Sequence, residues 1–423
     1  MKSTDQAADF RATLSQFLPA GEAGRITNAV LHGKGSWYWD AGGRKHLDFT
    51  SGIFTNSFGH GDDDIARAFS RTFEQLGNIH GRHWAGEPEV YRKLFSYLPP
   101  GEYRVIPYGD GGGYSVDRAE VELYYHFQKR RYRLVTFDGG FHGKTQGTKL
   151  SISRTQDSAY FCSKTIPEPN CFNCPCHLKK GECAMECASL AEQELERFDA
   201  DVFLFEPILG AGIVVPPEGF WPRLQAFCRR HGILMMADEV LTGGGRTGEF
   251  FASAAFGLSP DILIVTKGLA NGLPLSLMFL KKPLTENDCA LREGNYSSTF
   301  MGVPALLATL GEVLDKIERE HILENVKERG AQLLTGLFEI KARHPCVGDA
   351  RGIGLMAAME FISPDGSPDI LTGRAVCAAA EHNGLALIQA GSTVRIAPPL
   401  NVSANEIAIG LELLENSISE VEK

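Results

Sequence analysis

An α/β fold, with a mostly parallel sheet flanked by helices, follows from three features of this sequence. Two short apolar runs each end in a charge: Ile233 to Ala237 leads into Asp238, and Ile262 to Val265 leads through Thr266 into Lys267. Continuous apolar runs of this length suit strands buried on both faces of a parallel sheet. Strand-like and helical stretches alternate: Asp201 to Phe205 precedes an amphipathic helix over Trp221 to Arg230, which leads into the first run. That order argues for a doubly wound sheet. Third, the glycine-rich loop Gly109-Asp110-Gly111-Gly112-Gly113-Tyr114-Ser115 opens onto Val116, Ala119, Leu123 and Phe127 at helical spacing.

Composition sets the broad class. A chain of 423 residues, 43% hydrophobic and 22% charged, can bury a large core and is expected to form more than one domain. A formal net charge of −10 disfavours nucleic acid and anionic membrane as partners. No apolar run reaches membrane-spanning length, and MKSTDQAADFRATLSQF lacks the apolar core of a signal peptide, so a cytoplasmic location is expected. Of ten cysteines, Cys228, Cys289, Cys346 and Cys377 are scattered and read as reduced core residues.

In chain order, residues 1–25 read as an exposed helical lead-in. Ser36 to Asp40 and His46 to Phe49 flank Ala41-Gly42-Gly43 as a β-hairpin. Residues 62–98 look helical with a break near 77–86, and Arg104 to Pro107 is a strand entering the glycine loop. A glycine-rich loop that opens a helix offers N–H groups and a positive dipole end to an anion. Leu134 to Phe137 is a strand delivering Gly139-Gly140-Phe141-His142-Gly143, and Asp201 to Phe205 ends at Glu206-Pro207. Residues 158–188 interrupt the rhythm with Cys162, Cys171, Cys174, Cys176, His177, Cys183 and Cys187. Such clustering suggests tetrahedral zinc or an iron–sulfur cluster, with free or paired thiols as the alternative. Val303 to Arg343 reads as two helices, Arg351-Gly352-Ile353-Gly354-Leu355-Met356 leads into a strand through Glu360, and Ser403 to Glu406 is a capping box.

Ligands of parallel sheets collect at the carboxyl ends of the strands, where Asp238 and Lys267 fall. A lysine amine can form a Schiff base with an aldehyde. If the aldehyde is pyridoxal phosphate, its ring nitrogen needs an acidic partner, which keeps that nitrogen protonated.

Asp238-Glu239-Val240, Thr242-Gly243-Gly244-Gly245-Arg246-Thr247-Gly248, Pro260-Asp261 and Lys267-Gly268 together resemble the class III (ω-) aminotransferases of the fold-type-I pyridoxal phosphate enzymes. Asp48-Phe49, Gly52-Ile53, Gly59-His60, Glu206-Pro207 and Ser298-Thr299-Phe300 continue the resemblance. It implies three segments: 1–60 contributing to a small domain, 61–305 as the large cofactor domain, and 306–423 as the small C-terminal α+β domain. It implies catalytic roles for Lys267 and Asp238. It places Gly112, Gly113, Tyr114, Ser115, Phe141, His142, Glu206, Val240 and Thr299 around the cofactor, with Phe141 stacked on its ring and Thr299 reaching the phosphate of the neighbouring subunit in a homodimer. Arg395 would grip a substrate carboxylate with two parallel hydrogen bonds, and Phe54 would face the substrate. The reaction implied moves an amino group from a primary amine to a 2-oxo acid such as 2-oxoglutarate by ping-pong kinetics. Racemases, an aminomutase and a decarboxylase share the family, and a non-catalytic cofactor- or metal-binding scaffold is the rival from another class.

The sequence departs from the family pattern in places. Gly113 and Tyr114 stand where a hydroxyl residue and an acid are usual, Leu241 replaces a glutamine, and Leu209 replaces a polar residue. Ala211 stands where some ω-aminotransferases have a glutamate that masks the equivalent of Arg395. Arg395 would then either stay unpaired and favour acidic substrates or swing out for neutral amines.

Overall fold

A computed structural model describes residues 10, 12–19, 29–151, 159–179, 182–286 and 297–423. Most of the expected N-terminal lead-in, Ser158 at the edge of the cysteine segment, and Cys289 lie outside the described residues.

Among the described residues, fifteen strands form three sheets. β1 (Val30–Lys34), β2 (Trp37–Asp40) and β3 (Lys45–Asp48) make an antiparallel meander, so the expected hairpin gains a strand on its outer side. The central sheet uses β4 (Tyr103–Tyr108), β5 (Tyr132–Phe137), β6 (Phe161–Ile166), β7 (Val202–Phe205), β8 (Leu234–Asp238), β9 (Ile262–Val265) and β10 (Ser276–Lys281). Their order is β4-β10-β9-β8-β7-β5-β6. The pairs from β9 through to β6 are all parallel, while β10 runs antiparallel to both β9 and β4. β11 (Val347–Ile353), β12 (Met356–Phe361), β13 (Leu385–Ala386), β14 (Ile388–Ala390) and β15 (Thr393–Ile396) come from the C-terminal third. Four of these form an antiparallel sheet ordered β11-β12-β15-β14, and β13 leaves them to pair parallel with β3.

The central strands are apolar because neither face meets water. Every residue of β7 and β9 is buried, as expected for strands covered by helices on both sides. Helices Gly112–His126, Glu186–Arg197 and Phe220–His231 supply crossovers. Helices Pro304–Arg319 and Ile322–Arg343 carry the chain to β11, as the sequence reading expects. The last helix, Ala404–Val421, starts with the expected capping box between Ser403 and Glu406.

Two neighbouring strands end at the reactive pair. Asp238 is the last residue of β8 and pairs in register with Ile264 of β9. Lys267 follows β9 by two residues and opens a 3-10 turn over Lys267–Ala270.

Candidate active site

The ends of these strands surround a cavity of about 250 Å³. Gly112, Phe141, His142, Glu206, Asp238 and Lys267 line it, together with Gly113 and Val240. Eight of the residues expected around a cofactor therefore meet in one place. Tyr114 and Ser115 lie outside that lining. The Tyr114 ring packs edge-on against Tyr108, and Ser115 Oγ is buried 2.6 Å from Ser276 Oγ. Thr266 donates to the same Ser276 oxygen at 2.7 Å, so a chain of hydroxyls ties the glycine-headed helix to the residue before Lys267. Sequence reading missed Ser276, because a lone serine in a strand carries no motif. It also missed Gly143 and Lys144 as lining residues, whereas Leu241, singled out where the family has a glutamine, does line the cavity. Lys144 directly follows the Phe-His-Gly motif, the one signal that could have found it.

Burial shapes the chemistry of each group. Asp238 is 3% exposed, and its Oδ1 accepts from the backbone N–H of Val240 at 3.0 Å. Its Oδ2 lies 2.8 Å from His142 Nδ1, and His142 Nε2 lies 2.9 Å from Thr136 Oγ1. Burial alone would lower the His142 pKa, but the hydrogen bond and charge of Asp238 outweigh it and the pKa rises. Burial drives the Glu206 pKa up to about 7, against the attraction of His142, with Asp238 repelling the charged form. The two Glu206 oxygens accept from the N–H groups of Phe141 and Gly210, each at 3.0 Å, fixing both turns. Burial brings the Lys267 pKa down to about 8; Asp238 and Glu206 oppose the shift and Arg395 adds to it.

The pocket fits pyridoxal phosphate on its own terms. At Gly112 an added Cβ would stand 2.5 Å from Val240 Cγ2, so the backbone is pressed close to the cavity. Gly111 caps that helix without any side-chain hydrogen bond, a setting suited to an anion. Phe141 is 45% exposed on the wall, available for stacking. Asp238 and Lys267 supply the acid and the amine.

The substrate candidates sit beside this cavity rather than in its lining. Ser51, Gly52, Ile53 and Phe54 have φ of 45, 57, 60 and 66°, one turn in the left-handed region. Such a turn is costly for residues other than glycine and marks functional sites. It is held by Ser51 Oγ donating to the Ala397 carbonyl at 2.6 Å and by Asp48 accepting from the Ser51 N–H at 3.1 Å. The buried Phe54 ring has the Arg246 guanidinium 5.5 Å and the Arg395 guanidinium 6.0 Å from its centre. Arg395 Nη1 donates to the Gly210 carbonyl at 3.1 Å, beside Ala211. Thr299 is exposed, and its carbonyl accepts from Asn78 Nδ2 at 2.7 Å.

Of the scattered cysteines, Cys228 is buried while Cys346 and Cys377 are only half-buried. Cys171, Cys174, Cys176, Cys183 and Cys187 line a second, separate cavity. Among the described residues, no three His, Cys, Asp or Glu groups are already placed to hold a metal ion.

The sheet order, with one antiparallel strand among parallel ones, and the acid–amine pair at its mouth define a fold-type-I pyridoxal phosphate transaminase. The chain belongs to the class III aminotransferases: the model of that family matches residues 20–418. It is similar to an acetylornithine aminotransferase of Synechocystis, 32% identical over 98% of this chain and 94% of the other. It is also similar to a leucine/methionine racemase of Thermococcus litoralis, 29% identical over 95% and 94%. An aminotransferase structure from Bacillus anthracis superposes with a TM-score of 0.88 at 26% identity, covering 99% of each chain. The protein is a pyridoxal phosphate-dependent aminotransferase.

Proposed function

We propose that this enzyme carries an amino group from a primary amine or ω-amino substrate to a 2-oxo acid such as 2-oxoglutarate, by alternation between pyridoxal and pyridoxamine phosphate. The observation that carries the reading is the convergence of Lys267 and Asp238 on one cavity headed by a glycine-capped helix. Bound pyridoxal phosphate supplies the electron sink for the bond broken at the substrate carbon. Lys267 Nζ would hold the cofactor through its aldehyde and, once released, would move the proton at the substrate Cα as general base and acid. Asp238 would keep the ring nitrogen protonated, oriented by His142 at 2.8 Å. Phe141 would stack on the ring with Val240 beside it, and Gly112 and Gly113 would form the phosphate end, Tyr114 and Ser115 contributing through the backbone of the same helix start. Arg395 grips the substrate carboxylate, with Phe54 as a wall.

The partner subunit of a homodimer would bring Thr299 to the phosphate. Exposure of Thr299 and of the neighbouring Phe300, 53% exposed in a single chain, supports a covering partner. Residues 1–60 and 306–423 would form the small domain, a division supported by the pairing of β13 with β3, and 61–305 the large one. No helix among the described residues is long and apolar enough to cross a membrane, and a cytoplasmic location fits this reading. The cysteine loop, lining its own cavity, would have a structural role outside the reaction, holding zinc or an iron–sulfur cluster or else free or paired thiols.

A spectral screen of amine donors tests the reaction. An aminotransferase converts the yellow form to the pyridoxamine form with a productive donor, and 2-oxoglutarate then restores it with release of glutamate. The likeness to a racemase gives a second reading. Loss of donor chirality without glutamate would establish racemisation instead, and no half-reaction with any donor would leave a non-catalytic scaffold.

A further inference from the structure

The loop that breaks the α/β rhythm gathers its thiols. Cys171, Cys174, Cys176, Cys183 and Cys187 all line one cavity of about 20 Å³. The Cys174 and Cys176 thiols share a hydrogen bond, and Cys183 is a near neighbour of Cys176. Cys187 has Cys171, Cys174 and Cys176 around it. None of the five is in a disulfide. Two pairs stand out, Cys171-x-x-Cys174 and Cys183-x-x-x-Cys187, the spacings by which short loops wrap tetrahedral zinc. About 10–15 Å³ of such volume holds one water-sized sphere, so this cavity has room for a single ion. Pro169, Leu178 and Pro217 supply apolar wall, Lys179 and Glu186 the charged lining, and Arg223 stands near Cys187.

We propose that Cys171, Cys174, Cys183 and Cys187 bind one zinc ion as a tetrathiolate site, with Cys176 as a fifth thiol beside it. Among the described residues no three groups already converge on an ion, so binding turns the thiols inward about χ1. Four thiols release four protons to solvent and no electron moves. Two cations, Lys179 and Arg223, offset the double negative charge of the centre, while Glu186 opposes it.

The position gives the ion a task. Glu168 Oε2 stands 2.8 Å from where a Cβ on Gly139 would lie, two residues before Phe141. Phe172 Cζ is 2.7 Å from the corresponding point on Gly348 in β11. The same strand carries Arg351, which donates to the Gly212 carbonyl at 2.9 and 2.6 Å. Gly212 is two residues from Gly210, the carbonyl partner of Arg395. Zinc would therefore brace the ring-stacking turn and the turn that holds the candidate substrate arginine; this second role rests on the function proposed above.

The test uses full-length holoenzyme purified under reducing conditions without chelator. Elemental analysis should find about one zinc per chain. After chelator treatment, Co²⁺ should produce thiolate charge-transfer absorbance that Zn²⁺ abolishes, and the metal-free enzyme should melt several degrees lower. Cys174→Ser and Cys183→Ser should lose the Co²⁺ signal. Cys162→Ser, in the same segment but outside the cavity, should keep it. Absence of zinc together with no Co²⁺ absorbance from reduced thiols overturns the proposal. So does a Cys171–Cys174 disulfide in enzyme from a reducing cytosol, or a brown protein containing iron and sulfide. Half-reactions run on the same samples separate the readings: zinc bound to an enzyme inert toward amines sinks the reaction and leaves the metal site standing.

Discussion

Lys267 has an amine that burial readies for attack: its pKa falls to about 8 despite the pull of Asp238 and Glu206 the other way. A free lysine titrates near ~10.4, so around pH 8 the neutral, nucleophilic fraction is far larger here. Recombination of apoenzyme with pyridoxal phosphate should accelerate as pH rises, with a midpoint near 8 and a plateau above it; stopped-flow absorbance checks this, and a rise continuing toward pH 10 would contradict it. Glu206 holds two turns through its two oxygens. Glu206→Gln leaves a single acceptor oxygen and puts an NH₂ against a backbone N–H. Loss of one such bond to a charged group is worth about 1.5–3 kcal/mol, so cofactor affinity measured by equilibrium dialysis should fall about 10- to 100-fold. At this scale the motif residues were legible because their chemistry requires their identity. Ser276 was not, since any small hydroxyl residue could fill such a place and only the fold brings it to the site.

Among the strands legible in the sequence, β7, β8 and β9 are buried on both faces, where apolar identity is enforced at nearly every position. β1 escaped because its residues are mostly exposed and its partner, not its pattern, makes it a strand. β13 and β14 are two and three residues long, shorter than any periodicity can reveal. The left-handed turn over residues 51–54 was equally hidden: the sequence marks Gly52, yet three residues with side chains share its conformation. The helix headed by Gly112 offers a test at this scale. Gly112→Ala suits the helical backbone but drives a Cβ to within 2.5 Å of Val240 Cγ2. Far-ultraviolet dichroism should stay unchanged while cofactor affinity drops about tenfold or more, as expected for overpacking of about 1–3 kcal/mol; unaltered affinity would remove the cradle from the account.

Across the whole molecule, residues far apart in sequence make one mouth. Gly112 comes from the helix after β4, Phe141 from the turn after β5, Glu206 from the end of β7, and Asp238 and Lys267 from β8 and β9. That assembly was legible because parallel sheets send every strand's carboxyl end to the same edge. What lies across from it was not, since one sequence does not show a second chain. If the homodimer shares its sites, co-expression of Lys267→Ala with Thr299→Ala chains should restore one intact site per mixed dimer and more activity than either variant alone; no gain would place Thr299 outside the partner's site. One amine carries the chemistry of the site. Borohydride reduction of the yellow holoenzyme followed by peptide mass spectrometry should find the pyridoxyl group on Lys267. Finding it instead on Lys144, the other lysine lining the cavity, would contradict the account.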